Sequence, residues 1–117
     1  MEKEIDVLTL CNKITEQTKM ENCDWKETSE RNRYRLSLKN GSVEILHFEP
    51  SEFDIVNPEY YDVLLFDNKG ERYATYRAQS TQKSFTVFSQ LFTEVKNLQE
   101  KKRRRKMALL YDELETI

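Results

Sequence analysis

The sequence predicts an α+β domain in which an antiparallel sheet of about four strands, made of two hairpins, is flanked by an N-terminal helix and a long C-terminal helix. Apolar residues recur at helical spacing at both ends of the chain and alternate with polar residues in its middle. Two turn-forming segments, Asn40-Gly41 and Asn68-Lys69-Gly70, separate the alternating runs. The 117 residues suffice for a single domain but not for two ordinary ones.

The composition supports a folded chain. Charged residues make up 34%, but there are also six Phe, six Tyr and one Trp, and each large aromatic buries much area. Disorder of the whole chain needs few aromatics and a high net charge, whereas the net charge here is −2. Cys11 and Cys23 lack the second pair that a four-ligand zinc site needs. The sequence is compatible with a single disulfide between them, but it favours two reduced thiols.

The N-terminal residues predict a cytoplasmic protein. Residues 1–6 are charged and no long apolar run follows them, so we expect no signal peptide. No stretch approaches the roughly 20 apolar residues of a membrane span. The first helix is predicted over residues 3–20, with Glu2 and Glu4 favourably placed at its positive end. Its apolar residues Ile5, Leu8, Cys11 and Ile14 recur at three-residue steps.

The first hairpin is the strongest local signal. A short strand at Trp25–Thr28 leads into it, and Asn40-Gly41 is predicted as its two-residue turn because both positions of such a turn need positive φ. This turn sets a register with one face toward the core. The predicted cross-strand pairs are Leu38 with Val43, Leu36 with Ile45, and Tyr34 with His47.

Residues 49–59 hold both prolines and are predicted as a loop. The second hairpin is predicted from Tyr60–Phe66 and Arg72–Ala78, with Gly70 in the turn between them. Residues 63–66 are continuously apolar, which indicates a strand buried on both faces or one that touches a partner.

The last helix is predicted over about 81–117, with Ser80 or Thr81 as its cap. Unbroken, it would be roughly 55 Å long, which exceeds the width of so small a domain. Its distal part must therefore fold back, project or pack on something else, and a break within 100–106 is the alternative. We expect the core to contain Leu8, Ile14, Leu36, Leu38, Val43, Ile45, Val63, Leu65, Phe85, Phe88, Phe92 and Val95.

The distal apolar residues of this helix are the candidate interaction site. They lie on one side of the helix, with Leu109 beside them, and a domain too small to cover them would bury them in a dimer or a partner groove. The candidate residues are Met107, Leu110, Leu114 and Ile117.

A basic run is the candidate polyanion contact, toward nucleic acid or anionic lipid. On a helix its charges point all round the axis, the chain as a whole is acidic, and Asp112, Glu113 and Glu115 follow closely. A solvated or ion-paired segment is therefore favoured over a binding site. The run is Lys101, Lys102, Arg103, Arg104, Arg105 and Lys106.

No residues are assigned to catalysis, to a metal or to a cofactor. His47 is the only histidine and is predicted to be structural, since no nucleophile can be placed beside it. Gly41 and Gly70 are both used by turns, so no Gly-rich phosphate loop exists. An unfamiliar enzyme using Tyr61 or His47 with the acidic loop stays a third alternative. The carboxylates of that loop are Glu49, Glu52, Asp54 and Glu59.

The order helix, hairpin, hairpin, helix resembles small uncharacterised bacterial proteins of unknown function. The residues that carry the resemblance are Trp25-Lys26-Glu27-Thr28, Tyr34-Arg35-Leu36, Asn40-Gly41-Ser42-Val43 and Leu109-Leu110-Tyr111. The resemblance implies a bacterial cytoplasmic setting and an α+β domain, and it transfers no site residues. We therefore predict a non-enzymatic protein-interaction or regulatory module that self-associates, as a dimer, through the last helix. The alternative is nucleic-acid or anionic-surface binding through residues 101–106.

Overall fold

The computed structural model describes residues 5–53 and 56–117. Within these ranges, a five-stranded antiparallel sheet carries both helices on one of its faces. Neighbouring strands follow one another in the chain, in the order β1-β2-β3-β4-β5. The elements are α1 (Val7–Lys19), β1 (Trp25–Glu27), β2 (Arg33–Leu38), β3 (Gly41–Phe48), β4 (Tyr60–Phe66), β5 (Arg72–Gln79) and α2 (Ser84–Glu115). The predicted α+β fold is confirmed. The sheet has five strands rather than about four because the short strand predicted at Trp25–Thr28, observed as β1, also pairs with β2.

Helix α1 begins where Asp6 caps it. The Asp6 carboxylate accepts a hydrogen bond from the backbone N–H of Thr9 at 2.7 Å, which satisfies one of the free donors of the first turn. Cys11 and Ile14 are buried between α1 and the rest of the core. The predicted positions of Glu2 and Glu4 fall outside the described residues.

The turn of the first hairpin is displaced from its prediction. Lys39 and Asn40 form the turn, and Leu38 pairs with Gly41, so the predicted register is wrong by two residues. Gly41 has a different role: a Cβ there would lie 2.2 Å from the backbone oxygen of Phe66 in β4. Because side chains alternate with period two, this shift leaves each face as predicted. The observed pairs include Leu36 with Val43 and Tyr34 with Ile45.

The second hairpin lies where it was predicted, with β5 one residue longer. The Asp67 carboxylate accepts hydrogen bonds from the N–H groups of Lys69 and Glu71, both at 2.9 Å, and Gly70 takes φ +84° in the turn. In β4, Val63 and Leu64 point to opposite faces and both are buried. The continuous apolar run thus does form a strand buried on both faces.

Helix α2 begins later than predicted and does not break. Lys83 is the N-cap residue and makes no capping side-chain hydrogen bond, so the predicted cap at Ser80 or Thr81 is wrong. The carbonyl of Gln82 accepts from the N–H of Phe85 at 3.1 Å. The helix then runs through Ser84–Glu115, which is about 48 Å at ~1.5 Å per residue. The alternative of a break within 100–106 is therefore wrong.

The core lies between the helices and the sheet. Most of the predicted core residues are buried there, and Leu8 and Phe85 pack partly buried at its margin. Leu38 is 56% exposed, so its prediction is wrong, because the true register places it at the end of the sheet opposite Gly41. The buried residues that the prediction omitted include Cys11, Trp25, Tyr61, Ala78, Leu91 and Leu98.

Arginine–carboxylate pairs and aromatic rings cover the other face of the sheet. Glu44 is buried there beneath Arg33 and Arg35, which both pair with it. Asp62 accepts two hydrogen bonds from Arg77, at 2.9 and 3.0 Å. The Arg77 guanidinium in turn lies 3.7 Å from the centre of the Tyr60 ring, which stacks on Phe48. On this face, which no described helix covers, the buried carboxylates are thus paired with arginines and the aromatic rings are stacked.

Candidate interaction surface on the C-terminal helix

Helix α2 crosses the sheet from the second hairpin to the edge strand β1. Near its start, Phe85 contacts the ring of Tyr61 in β4, and further along Phe92 contacts Tyr34 in β2. Gln99 then donates from Nε2 to the backbone oxygen of Trp25 at 2.6 Å. The last buried side chain of α2 is Leu98. The helix therefore leaves the sheet at β1 and continues past it.

An ionic clamp, made of Glu21, Asp24 and Glu27 with four basic residues of α2, holds the helix at this exit. Glu21 binds Lys101 at 2.9 Å and Arg105 at 2.8 Å. These two hydrogen bonds, Arg105 first, lower the pKa of Glu21 from its usual 4.5 to about 2. The remaining pairs of the clamp are Lys102 with Asp24 at 3.3 Å and Arg103 with Glu27 at 2.7 Å.

The clamp uses most of the predicted polyanion contact. Its carboxylates come from the segment between α1 and β1 and from β1 itself, whereas the sequence pointed to Asp112, Glu113 and Glu115. Arg104 and Lys106 form no ion pair with any residue of 5–53 or 56–117. These two residues are the free cations of the run within those ranges.

The distal segment of α2 and the residues after it, 103–117, project from the domain and are named the arm. Every side chain of the arm is exposed. Among the predicted alternatives, the distal part of the helix therefore projects rather than folding back or packing on its own domain. Its large apolar side chains are between 62% and 95% exposed. They are Met107, Leu109, Leu110, Tyr111, Leu114 and Ile117, which include all four residues of the predicted interaction site.

The arm carries a continuous apolar stripe on the side that faces past the sheet. Met107, Leu110 and Leu114 follow the three- and four-residue spacing that puts side chains on one side of a helix. By the same 3.6-residue period, this side continues the one that carries Phe92 and Gln99. Phe92 is buried in the core and Gln99 bonds to β1. The stripe thus overhangs the edge of the sheet.

Two charged residues border this stripe on the same flank. Lys106 lies at its inner end and Glu113 two turns further out, since seven residues nearly complete two turns. The last turn of α2 contains no basic residue. Its carboxylates stand at the negative end of the helix dipole, which is unfavourable without nearby cations.

A cavity of about 280 Å³ lies at the base of the arm, between β1 and α2. Four of its lining side chains are cationic and one is a carboxylate. The lining consists of Trp25, Lys26, Glu27, Gln99, Lys102, Arg103 and Lys106. Lys26 and Lys102 pair with Asp24, and Arg103 pairs with Glu27, so Lys106 is the unpaired cation of this described lining.

His47 and Tyr61 lie in the core. The His47 ring stacks on Tyr61 with centroids 4.2 Å apart, and the edge of Phe92 covers it from α2. Its Nε2 is 2.7 Å from Glu59, and Glu49 lies 3.7 Å from Nδ1. The structure thus brings His47 together with two of the loop carboxylates. Tyr61 is itself buried, which raises the pKa of its hydroxyl.

Of the other two loop carboxylates, Glu52 is exposed to solvent in the loop. Asp54 falls outside the described residues.

Among the described residues, no three or more His, Cys, Asp or Glu side chains are placed so that they could hold a metal ion. Both cysteines are free thiols, and burial raises the pKa of Cys11 to about 12. Neither helix of the described chain is long and apolar enough to cross a bilayer. Comparisons with protein-family models, with curated proteins and with solved structures found no match for the chain.

Proposed function

We propose that the chain is a non-enzymatic protein-interaction module that self-associates into a homodimer through the arm. The observation that carries the proposal is the apolar stripe, which overhangs the sheet and which its own domain leaves exposed. Covering a Leu or Met side chain is worth about 1.5–3 kcal/mol, so several such residues favour association strongly. Large exposed apolar patches in folded proteins mark interaction sites.

The form of the arm supports a helical partner. Short isolated helices are only marginally stable in water, and no side chain of the arm is buried against its own sheet. The a and d positions of a heptad are filled by Met107, Leu110, Leu114 and Ile117, which is the pattern of helices that pair side by side. A second arm would present the same stripe, and two such stripes cover each other.

The test is size-exclusion chromatography with light scattering on the whole chain. The wild type is expected to be a dimer, and a Leu110→Glu/Leu114→Glu variant a monomer with an unchanged circular dichroism spectrum. Leu38→Glu is the matched control because Leu38 is similarly exposed but lies at the hairpin end of the sheet. A wild type that stays monomeric at high concentration would overturn the proposal.

The alternative proposal, binding of nucleic acid or an anionic surface, is supported by the free cations Arg104 and Lys106, of which Lys106 lines the cavity at the base of the arm. It is weakened by the clamp, which occupies the other four basic residues. Retardation of DNA or RNA at low salt, lost when residues 101–106 become Gln or Ser, would support it. Absence of any retardation would remove it for nucleic acid.

A cytoplasmic location belongs to the same proposal. Both thiols of the chain are free, as in proteins kept in a reducing compartment.

A further inference from the structure

We propose that the two arms of the dimer lie antiparallel, centred near Leu110, so that Lys106 of each chain pairs with Glu113 of the other. The inference rests on the proposed self-association. It specifies the partner as a second copy in one orientation.

The length of the overhang points to this centre. The arm spans residues 103–117, about 22 Å at ~1.5 Å per residue, and its apolar stripe faces past β1. Two antiparallel arms overlap completely when the tip of each reaches the base of the other. In that arrangement Leu110 lies beside its own copy, and Met107 lies near Leu114 of the partner subunit. The cavity at the base leaves room for the partner's tip.

The charges of the arm favour the same orientation. Lys106 and Glu113 border one flank of the stripe at nearly equal distances on either side of Leu110. A two-fold axis through Leu110 therefore brings Lys106 of one chain close to Glu113 of the other, twice over. In a parallel pair the same flanks of the two helices lie on opposite sides of the interface, so Lys106 would face Tyr111 of the partner subunit and the ion pair with Glu113 would not form.

Lys106 and Glu113 are both available to pair with a second chain. Lys106 has no ion pair with any described residue and lines the cavity where the partner's tip would arrive. The carboxylates near the end of α2 have no basic residue in their own last turn. Cations from the partner would offset their unfavourable position at the negative end of the helix dipole.

Charge reversal tests the orientation. Lys106→Glu and Glu113→Lys should each weaken dimerisation about tenfold or more, because two ion pairs become two repulsions. The Lys106→Glu/Glu113→Lys double variant should return to the wild-type affinity, since the pairs re-form with exchanged signs. Lys96→Glu, on an exposed position of α2 that packs on the domain, is the control and should have no effect. The differences should shrink in about 1 M salt.

A cross-linking experiment separates orientation from association. Lys106→Cys and Glu113→Cys chains, both carrying Cys23→Ser, are mixed and oxidised under mild conditions. Antiparallel arms give mainly the mixed 106–113 disulfide. A dimer that gives no excess of the mixed 106–113 disulfide, with unchanged affinity in the single charge variants, overturns the orientation but leaves self-association intact. A wild type that is monomeric overturns both proposals.

Discussion

Gln99 and Trp25 are joined by a hydrogen bond from the amide Nε2 of Gln99 to the backbone oxygen of Trp25, at 2.6 Å. The bond connects the last turn of α2 that has a buried side chain to the edge strand β1. It occupies an outward-facing backbone group that an edge strand otherwise offers to other chains. Together with the clamp, it holds α2 against β1 where the arm begins.

Gln99→Met should destabilise the fold by about 1 kcal/mol, because the side chain keeps its length but loses the donor for the Trp25 carbonyl. Urea unfolding followed by circular dichroism measures the change. Gln90→Met, at an exposed position of the same helix, is the control and should differ little from the wild type. Equal stability of the two variants would show that the bond to Trp25 contributes nothing.

Thr18→Val should cost about 1–3 kcal/mol. Trp25 is 1% exposed, and its indole Nε1 donates to the Thr18 hydroxyl at 3.0 Å, so removing that acceptor leaves a buried donor without a partner. Thr15→Val is the matched control. The Thr15 hydroxyl donates only to the carbonyl of Cys11 in its own helix. The prediction fails if Thr18→Val and Thr15→Val have the same unfolding midpoint.

The faces of the strands could be predicted from the sequence, but the register of the first hairpin could not. Alternation alone assigns Tyr34, Leu36 and Ile45 to the core, and alternation is a local property. The position of the turn depends on Gly41, which has no room for a side chain beside Phe66. That contact joins residues 25 positions apart in the chain, so the Asn-Gly pair by itself does not locate the turn.

The candidate interaction surface could likewise be predicted only in part. The exposed stripe followed from its spacing and from a helix too long for its domain. The partners of the basic run did not, because Glu21 and Arg105 lie 84 positions apart in the chain. One signal was present: acidic residues at 21, 24 and 27 recur every three positions, which suits a row of partners for a basic helix.

Gly41→Ala should destabilise the fold by about 2 kcal/mol or more. The added Cβ meets the backbone oxygen of Phe66 at 2.2 Å, and a side chain there must also adopt φ +150°. Gly70→Ala serves as the comparison, because it has positive φ but nothing within 4 Å of its Cβ. Its cost should be about 1 kcal/mol, from the backbone alone. Thermal unfolding of both variants distinguishes the steric clash at Gly41 from backbone strain alone, and equal costs would show that the clash with Phe66 is relieved without penalty.

The clamp at Glu21 should make stability depend on pH in the acid range. Its pKa is lowered to about 2 in the folded chain, so the folded state favours the ionised form. The contribution of ionised Glu21 to the free energy of unfolding is therefore fully present above the usual pKa of 4.5, and it is lost as the pH falls toward 2. Glu21→Gln should be less stable than the wild type at neutral pH, and the difference should vanish near pH 2.

Urea midpoints over a pH series measure this effect, with Glu16→Gln as the control at an exposed position of α1. Because the clamp is exposed to solvent, the difference should also decrease with added salt. A wild-type and Glu21→Gln difference that stays constant from neutral to acid pH would show that the ion pairs with Lys101 and Arg105 do not stabilise the fold.

The pair Asp62 and Arg77 tests how the uncovered face of the sheet tolerates buried charge. The Asp62 side chain is 6% exposed, whereas that of Arg77 is 53% exposed and shields the carboxylate from water. Arg77→Met should destabilise the fold by about 2 kcal/mol, since it leaves a buried carboxylate without its two hydrogen bonds. It also removes the cation from the Tyr60 ring.

Replacing both residues should cost less than replacing Arg77 alone. An Asp62→Leu/Arg77→Met variant leaves no buried charge, and apolar side chains can pack beside Leu64 and Tyr60. The order of unfolding midpoints should thus be wild type, then the double variant, then Arg77→Met. If the double variant were the least stable of the three, the pair would stabilise the face by its own attraction rather than only by cancelling the cost of burying Asp62.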